Sequence, residues 1–167
     1  MRCNNLTDYN ASHFHYFAHL FKGATVLELG CGSGTFLEEA LKHGASKIVG
    51  IDVSDETLTI SKAKFEKLGA NLYIRQGDCF KDRVVHEDGP FDYVTANYVT
   101  CYVPTMDQLE ILCCNLYDNL KEGGVCAFLI VPIEGDWYAE PRKRSANPIS
   151  SPGAIDGQPL KCFSLVH

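Results

Sequence analysis

Two kinds of residue in the first half of the chain have the types and spacing needed to bind a ligand. Three glycines alternate within the stretch TVLELGCGSGTF: Gly30, Gly32 and Gly34. Three acids lie near these glycines or after later apolar runs. Glu28 precedes the glycines, Asp52 ends the run KIVGID, and Asp78 follows the run that contains Leu72 and Ile74. Glycine lets the backbone turn tightly and approach a ligand, and a carboxylate accepts hydrogen bonds from a diol or an amino group. The combination predicts a nucleoside-binding site.

The spacing of the glycines and the charge of the loop indicate what kind of nucleoside would bind. A dinucleotide-binding loop has the pattern GxGxxG, but here the third glycine comes one residue earlier, and the phosphate-binding pattern GxxxxGK is absent. The loop has no Lys or Arg, so the nearby acids would repel a pyrophosphate. We therefore expect a cationic, phosphate-free nucleoside, with NAD-dependent reduction as the weaker alternative.

Each of the three acids has a functional and a structural interpretation. Asp52 lies 18 positions after Gly34, close to the distance of about 20 residues at which an acid meets ribose hydroxyls in nucleotide-binding βαβ units. Structurally, Asp52 would interact with a helix dipole, Asp78 would close a turn, and Glu28 would anchor the glycine loop. Both interpretations stay open at this point.

Alternating strands and helices would bring these acids together. Apolar runs predict strands at residues 26–29, 47–52 and 72–74, with a helix after each of the first two. Units of this kind form right-handed crossovers and hence a parallel sheet, which binds ligands at the carboxyl ends of its strands. Asp92 opens the fourth strand, residues 91–96, so we expect it at the opposite edge in a structural role.

The second half of the chain predicts one more helix and one more strand. Thr105 and Gln108 form a capping-box pattern at the start of the helix, and the glycines at 123–124 are expected to end it. Five apolar positions would form its buried face: Met106, Leu109, Cys113, Leu116 and Leu120. Val125–Val131 then predicts a strand that is covered on both faces.

Length and composition predict one globular domain with short flanking segments. We expect residues 1–22 to form a lid, residues 23–133 a cofactor-binding domain, and residues 134–167 an irregular tail with one candidate strand, Leu160–Val166. The net charge of −6 argues against nucleic-acid binding. No apolar run has the length of a membrane span or a signal peptide, so a cytoplasmic location without a membrane partner is expected.

The histidines and cysteines do not predict a metal site. His15 and His19 are four residues apart, but no nearby carboxylate or cysteine completes a ligand set. The eight cysteines contain no CxxC pair and are scattered over predicted strands, loops and a helix. We therefore expect reduced, mostly buried thiols and no bound metal.

Five successive segments resemble the motifs of class I S-adenosylmethionine-dependent methyltransferases in order and spacing. They are VLELGCGSGTF, IVGIDVS, IRQGDCF, FDYVTANYV and LKEGGVCAFLIVP, and the resemblance covers residues 24–132. It implies S-adenosylmethionine as the cofactor. It also implies an α/β fold, a three-layer Rossmann-like sandwich whose mainly parallel sheet has the strand order 3-2-1-4-5 and helices on both faces.

The resemblance further implies which residues bind the methionine part of the cofactor. Four residues of the glycine loop would line it: Gly30, Cys31, Gly32 and Gly34. Glu28 would support this loop and the cofactor's amino group, directly or through water. Asn97, at the end of the fourth strand, would lie near the same end of the cofactor.

The rest of the nucleoside would be bound by residues after the second and third strands. The resemblance implies that Asp52 holds both ribose hydroxyls and that Val53 packs on the adenine. Asp78 would accept a hydrogen bond from the adenine amino group, while the backbone N–H of Cys79 would meet the ring.

The implied reaction is an in-line attack of a nucleophile on the sulfonium methyl group, which leaves a neutral thioether. Holding donor and acceptor collinear and dry supplies much of the acceleration, so a dedicated base is not required. For an acceptor that must lose a proton, the candidate bases are His13, His15, Tyr16 and Tyr98. No catalytic residue is assigned.

A small molecule is the expected methyl acceptor, given the ordered motifs and the acidic balance of the chain. In addition, DGQPLKCFS at residues 156–164 resembles the start of the corresponding region of small-molecule members. A protein acceptor stays open. The family has a seven-stranded sheet that ends in an antiparallel hairpin, whereas this chain supplies five strands and one candidate. We therefore expect a truncated chain or a reduced variant with an incomplete far edge, and a non-catalytic cofactor-binding remnant is the alternative function.

Overall fold

The computed structural model describes residues 17–68, 72–81, 83–84, 87–103 and 105–129, together with the backbone of residues 162–166. Within these residues, six strands form one sheet: β1 (Thr25–Leu29), β2 (Lys47–Asp52), β3 (Leu72–Gln76), β4 (Phe91–Thr95), β5 (Leu120–Leu129) and β6 (Cys162–Val166). The α-helices are α1 (Thr35–Lys42), α2 (Asp55–Glu66) and α3 (Met106–Asp118). Short 3-10 helices cover Ala18–Leu20 and Val99–Tyr102.

The sheet confirms the predicted topology. Its strand order is β3-β2-β1-β4-β5-β6. Strands β1 to β5 are parallel, and β6, which falls within the candidate strand of the tail, is antiparallel to β5. The register places Glu28 of β1 between Gly50 of β2 and Thr95 of β4. The ends of β1, β2, β3 and β4 therefore form one edge of the sheet, here called the carboxyl edge, and their starts form the amino edge.

Helices cover both faces of the sheet, as predicted, but unequally. α1 and α2 pack on one face, where Phe36 and Phe65 belong to the same buried cluster. α3 packs on the other face through Leu112. The described residues between β3 and β4 contain no α-helix, and Phe80 and Val84 of this segment pack against the cluster beneath α3.

The start of α3 is confirmed, but its buried face differs from the predicted one. Thr105 Oγ1 accepts a hydrogen bond from the Gln108 N–H at 3.3 Å, as the capping pattern predicts. The prediction was wrong for Met106 and Cys113, whose side chains are exposed. The buried residues of the helix are Leu112, Asn115 and Leu116. Because one of these is polar, the apolar pattern alone indicates a different face.

β5 begins earlier than predicted. The strand starts at Leu120, so the glycines at 123–124 lie inside it instead of ending α3. Gly123 has a φ of 75°, and the register between β4 and β5 shifts between Phe91 and Tyr93. The glycines therefore form an irregular, bulged start to the strand, which turn propensity alone does not distinguish from a helix end.

The predicted lid lies mostly outside the described residues, as do residues 130–161 and hence most of the tail. Phe21, near the end of the predicted lid, is fully buried in the core. Its ring packs edge-on against Phe36 and Tyr93, with ring centroids 5.8 and 4.9 Å away. Phe21 therefore helps to build the domain itself, and a lid stays a prediction for residues 1–16.

Candidate functional site

The three glycines between β1 and α1 all adopt positive φ angles, but for different reasons. A Cβ on Gly30 would lie 2.4 Å from Val99 Cγ2, and one on Gly34 would lie 2.4 Å from Phe65 Cε2. Packing therefore requires glycine at both positions. A Cβ on Gly32 would meet no atom within 4 Å. Gly32 thus faces open space, where a ligand can approach the backbone closely.

Glu28 is a buried carboxyl group with only one of its oxygens hydrogen-bonded. The residue is 3% exposed, and its Oε1 accepts from Asn97 Nδ2 at 3.0 Å, while Oε2 is buried without a hydrogen-bond partner. Burial raises the pKa of Glu28 to about 8; the Asn97 hydrogen bond opposes this rise, and Asp52 adds to it. At neutral pH the group is therefore mainly a neutral acid, and a cationic ligand would favour its ionised form.

Asp52, at the end of β2, is connected to the glycine loop. Its Oδ2 accepts from the Gly32 N–H at 2.7 Å, and its Oδ1 accepts from the Ser54 N–H at 2.9 Å and from Thr57 Oγ1 at 3.3 Å. A carboxylate offers about four lone-pair sites, so about one is free, whereas a diol needs two. Thr57 is able to release its bond, because its single hydroxyl hydrogen has an alternative acceptor in Ser54 O at 3.0 Å.

Asp78 and Cys79 form a turn beyond β3. Asp78 Oδ1 accepts from the Phe80 N–H at 3.0 Å, and Lys81 Nζ lies 3.5 Å from Asp78 Oδ2. Cys79 is buried, and burial raises the pKa of its thiol to about 12, with Asp78 adding to the rise. The thiol is therefore uncharged at physiological pH, so the polar groups that this turn offers a ligand are the Asp78 carboxylate and the backbone.

Cys31 and Val53 lie in contrasting environments. The Cys31 Sγ is buried in the space beside Gly50, where it would be 2.8 Å from an added Cβ. Burial raises the pKa of the Cys31 thiol far above its usual range, and the nearby Glu28 and Asp52 add to the rise. Val53 is 61% exposed directly after β2 and offers apolar surface at the carboxyl edge.

Asn97 connects three strands just beyond the end of β4. Its Nδ2 donates to Glu28, and its Oδ1 accepts from Thr95 Oγ1 at 3.1 Å and from the Leu129 N–H at 3.2 Å. The next residue, Tyr98, has a φ of 62°, which is uncommon for a residue other than glycine. Asn97 is thus held by β4 and β5 and orients the carboxyl group of Glu28.

All the predicted cofactor-binding residues lie at the ends of β1 to β4 or in the segments that follow these strands: Glu28, Gly30, Cys31, Gly32, Gly34, Asp52, Val53, Asp78, Cys79 and Asn97. Their roles in binding stay predictions. Asp92 lies at the amino edge, as expected, where it accepts from the Thr25 N–H at 2.8 Å and pairs with Lys121 Nζ at 2.8 Å. Of the four candidate bases, Tyr98 follows β4, and His13, His15 and Tyr16 lie outside the described residues.

Several residues that shape this edge were not predicted from the sequence: Thr57, Thr95, Val99 and Asn115. The sequence does contain a sign of the role of Asn115. This polar residue lies on the same helical face as Leu112 and Leu116, where an apolar residue would be expected. The sequence contains no such sign for Val99, since the contact of Val99 with Gly30 depends on how the segment after β4 folds back over the glycine loop.

Metal and membrane features are absent from the described part of the chain. Among these residues no three His, Cys, Asp or Glu side chains come together in a way that would hold a metal ion. None of the described helices combines the length and apolar character required to cross a bilayer. His15, half of the histidine pair considered above, lies outside the described residues.

The arrangement fits a cationic ligand that carries a diol and no phosphate. No Lys or Arg lies between Glu28 and Phe36, so the glycine loop presents backbone groups beside the carboxyl groups of Glu28 and Asp52. A buried oxygen without a partner, such as Glu28 Oε2, is unfavourable until a donor satisfies it. An ammonium or sulfonium group supplies a favourable charge here, whereas a pyrophosphate would be repelled.

Comparison with known proteins identifies a family and individual proteins that are similar to this chain. A family profile described as "Methyltransferase domain" matches residues 26–124, more than half of the chain. The ribosomal protein L11 methyltransferase of Burkholderia mallei is 32% identical over 103 residues, which cover 61% of this chain and 30% of that protein. The ribosomal protein L11 methyltransferase of Thermotoga neapolitana is 30% identical over 79 residues, which cover 47% of this chain and 28% of that protein. The match thus spans less than a third of these relatives.

Solved structures show the same fold. An S-adenosylmethionine-dependent methyltransferase from Mesorhizobium loti superposes with a TM-score of 0.61 at 24% identity, over 71% of this chain and 52% of that one. One from Clostridium acetobutylicum superposes with a TM-score of 0.60 at 25% identity, over 74% of this chain and 48% of that one. The family match includes every residue of the candidate site. The chain therefore belongs to the class I S-adenosylmethionine-dependent methyltransferases.

Proposed function

We propose that this chain binds S-adenosylmethionine at the carboxyl edge and transfers its methyl group to a nucleophile. The observation that carries the proposal is the state of Glu28, which is buried, oriented by Asn97, and left with one unpartnered oxygen. Gly32 faces open space at the same edge. A cationic amino acid joined to a nucleoside would satisfy the carboxyl group and approach the bare backbone. Membership of the family supports the same ligand independently.

The residues after β2 and β3 would hold the nucleoside. Asp52 has about one lone-pair site free and gains a second when Thr57 donates only to the carbonyl of Ser54. That would allow it to accept from both ribose hydroxyls. The exposed side chain of Val53 would supply an apolar contact for adenine. The Asp78 carboxylate and the Cys79 N–H would then recognise the polar edge of the base.

The chain's contribution to the reaction is binding, orientation and exclusion of water. When bound, the sulfonium makes its methyl group electrophilic and leaves as a neutral thioether. The glycine loop and Asp52 would hold the donor, and the segment after β4, with Asn97 and Tyr98, would border the space from which an acceptor approaches. Positioning of this kind accelerates transfer without a general base when the nucleophile is already deprotonated. For an acceptor that must lose a proton, Tyr98 is the candidate base among the described residues.

A small molecule is the proposed acceptor, and a protein is the second candidate. The resemblance of residues 156–164 to small-molecule members supports the first, and the net charge of −6 disfavours nucleic acid. The second rests on the relatives from Burkholderia and Thermotoga, which are named for ribosomal protein L11. The match covers only 30% of the Burkholderia protein, so a protein acceptor is the second candidate.

Calorimetric titration of the full chain tests the cofactor. We expect S-adenosylmethionine to bind and NAD not to bind. A folded Asp52→Ala variant should bind S-adenosylmethionine about 100-fold more weakly, because two hydrogen bonds to a charged acceptor are lost. Asp92→Asn, which changes an acid at the opposite edge, is the matched control and should bind like the wild type. Undiminished affinity in Asp52→Ala would remove the ribose assignment, and no binding by the wild type would contradict the proposed function.

Transfer of a labelled methyl group tests the acceptor. The full chain is incubated with labelled S-adenosylmethionine and either a set of small oxygen, nitrogen and sulfur nucleophiles or purified ribosomal protein L11. Label in a small molecule supports the first candidate, and label in the protein alone supports the second. Cofactor binding without transfer to any acceptor would favour the non-catalytic alternative.

A further inference from the structure

The turn that carries Asp78 and Cys79 is held by a side chain from the far face of the sheet. Asn115 of α3 donates through Nδ2 to Cys79 O at 3.0 Å and accepts through Oδ1 from the Val84 N–H at 2.8 Å. Asn115 is fully buried. One amide group therefore bridges the two ends of the segment from Cys79 to Val84.

The chemistry of Asn115 is not explained by packing alone. It stands beside Leu116 in the buried stripe of α3, three positions after Leu112, where another leucine would fill the space without burying an amide. Burying a polar group is unfavourable unless it is hydrogen-bonded, and both polar atoms of this side chain are bonded to the backbone of one segment. Unlike a leucine, an amide at this place on the helix is able to set the position of the Cys79 peptide group.

The same peptide group is also held from within the turn. Asp78 Oδ1 accepts from the Phe80 N–H at 3.0 Å, and this N–H shares one peptide group with the Cys79 carbonyl that Asn115 binds. The bond between Asp78 and Phe80 closes a ring that contains Cys79, so holding this peptide group also restricts the direction of the Cys79 N–H. The neighbouring Asp78 carboxylate is restrained by the same turn.

We propose that Asn115 is a positioning residue for recognition of the adenine base, acting through the Cys79 carbonyl on the Cys79 N–H and the Asp78 carboxylate. This inference rests on the proposed function. Adenine presents an amino donor next to a ring-nitrogen acceptor, whereas hypoxanthine presents a carbonyl next to an N–H. A rigid acceptor and donor pair at Asp78 and Cys79 matches adenine and opposes hypoxanthine, while a loosened pair adapts to both.

The test compares S-adenosylhomocysteine with S-inosylhomocysteine, which differ in the base edge that this turn would read. We expect the wild type to prefer the adenosyl compound about 100-fold in calorimetric affinity. In Asn115→Ala this ratio should fall about tenfold, mainly because the adenosyl compound binds more weakly. Each protein is measured at a temperature at which circular dichroism shows it to be fully folded.

Asn119→Ala provides the matched control. Asn119 is also fully buried and donates to Val84 O at 2.7 Å, at the far end of the same segment. Its truncation should lower the urea midpoint as Asn115→Ala does, yet leave the affinity ratio unchanged. Should Asn115→Ala fail to fold, Asn115→Ser serves in its place, because its shorter side chain also cannot span to Cys79 but leaves room for a water molecule.

The outcomes separate this inference from the proposed function. A wild-type ratio in the folded Asn115 variant, or an equal fall in Asn119→Ala, would overturn the positioning role. If the wild type bound both compounds equally, adenine recognition at this turn would be wrong while the cofactor site stood. If it bound neither compound, the proposed function itself would fail.

Discussion

Two carboxyl groups at opposite edges of one sheet have opposite surroundings. Asp92, at the amino edge, accepts from the N–H and the hydroxyl of Thr25 and pairs with Lys121. Burial opposes its ionisation, but the hydrogen bonds from Lys121 and Thr25 outweigh burial and lower the pKa of Asp92. Glu28, at the carboxyl edge, has one hydrogen-bonded oxygen, and burial raises its pKa to about 8.

The difference separates an acid whose oxygens are both bonded within the fold from one that has a buried oxygen without a partner. The partners of Asp92 belong to β1 and β5, so its charge is stabilised as soon as the sheet forms. The ionised form of Glu28 is disfavoured until a positive charge arrives. Perturbed ionisable groups of this kind concentrate at functional sites. The contrast therefore favours the carboxyl edge over the amino edge as the functional one, without reference to any relative.

The largest expected effect concerns the pH dependence of stability. The pKa of Glu28 is about 8 in the folded protein against an ordinary value of 4.5. Between these pH values the native state binds the proton more tightly than the unfolded state, so this group lowers the stability of the wild type as pH rises. Glu28→Gln lacks the charge and should be more stable than the wild type by roughly 3–5 kcal/mol at pH 9, measured by urea unfolding.

The same comparison at low pH is the control. Near pH 4 the carboxyl group is neutral in both states, so Glu28→Gln and the wild type should unfold at similar urea concentrations. A stability difference that does not change between pH 4 and pH 9 would show that Glu28 is not a neutral acid in the folded protein, and the contrast between the edges would be lost.

A second prediction compares glycines with similar φ angles, 72° for Gly30 after β1 and 75° for Gly123 near the start of β5. Alanine at Gly30 would also clash with Val99, whereas at Gly123 it would meet open space. We expect Gly30→Ala to lower the free energy of unfolding by about 3 kcal/mol and Gly123→Ala by about 1 kcal/mol. Adding Val99→Ala should recover part of the stability of Gly30→Ala but none of that of Gly123→Ala. Equal losses at both sites would show that the carboxyl edge is not tightly packed around its loop.

A third prediction concerns cofactor affinity and rests on the proposed function. Binding of a cationic ligand requires Glu28 to release its proton, so affinity for S-adenosylmethionine should rise with pH up to about 8, the pKa of the free protein. The expected slope is about tenfold per pH unit between pH 6 and pH 8, measured by calorimetry. Glu28→Gln should remove this slope, which separates the contribution of Glu28 from that of any ionisation of the ligand. An unchanged slope in the variant would assign the pH dependence to another group.

The smallest expected effect belongs to the amino edge. Asp92→Asn should lower the free energy of unfolding by about 1 kcal/mol near pH 7, because partly exposed ion pairs contribute little and one oxygen still accepts from Thr25. The loss should shrink as pH falls toward the lowered pKa of Asp92, where the wild-type group also loses its charge. Affinity for S-adenosylmethionine should not change. A weakened affinity would mean that the two edges are coupled.

Much of the fold could be predicted because its signals are local. The apolar run of β1 and the capping Thr105 before α3 lie within or next to the elements that they define. The errors arose where local signals conflict with packing. The two glycines at 123–124 resemble a helix end but lie in β5. The buried face of α3 includes the polar Asn115, which an apolar pattern does not identify.

The candidate site likewise has some features that the sequence predicts and others that only the tertiary structure shows. Strand direction alone places Asp52 and Asp92 at opposite edges, since one ends a strand and the other begins one. The contacts that define the state of Glu28 are not local, because Asn97 is 69 residues away along the chain. The bond from Asn115 to Cys79 likewise joins residues 36 positions apart. No pattern within a short window contains either pair.

For this protein, the order of residues along the chain was sufficient to determine the parallel sheet, the edge that each acid occupies and the absence of a phosphate-binding pattern. Those properties depend on periodicity, direction and residue type, which can be read without coordinates. Only the tertiary structure decided that Glu28 is buried with one oxygen unpartnered, which raises its pKa, and that Asn115 holds the turn at Cys79. Burial and hydrogen-bond partners determine both, and these come from strands and helices that are distant in the sequence.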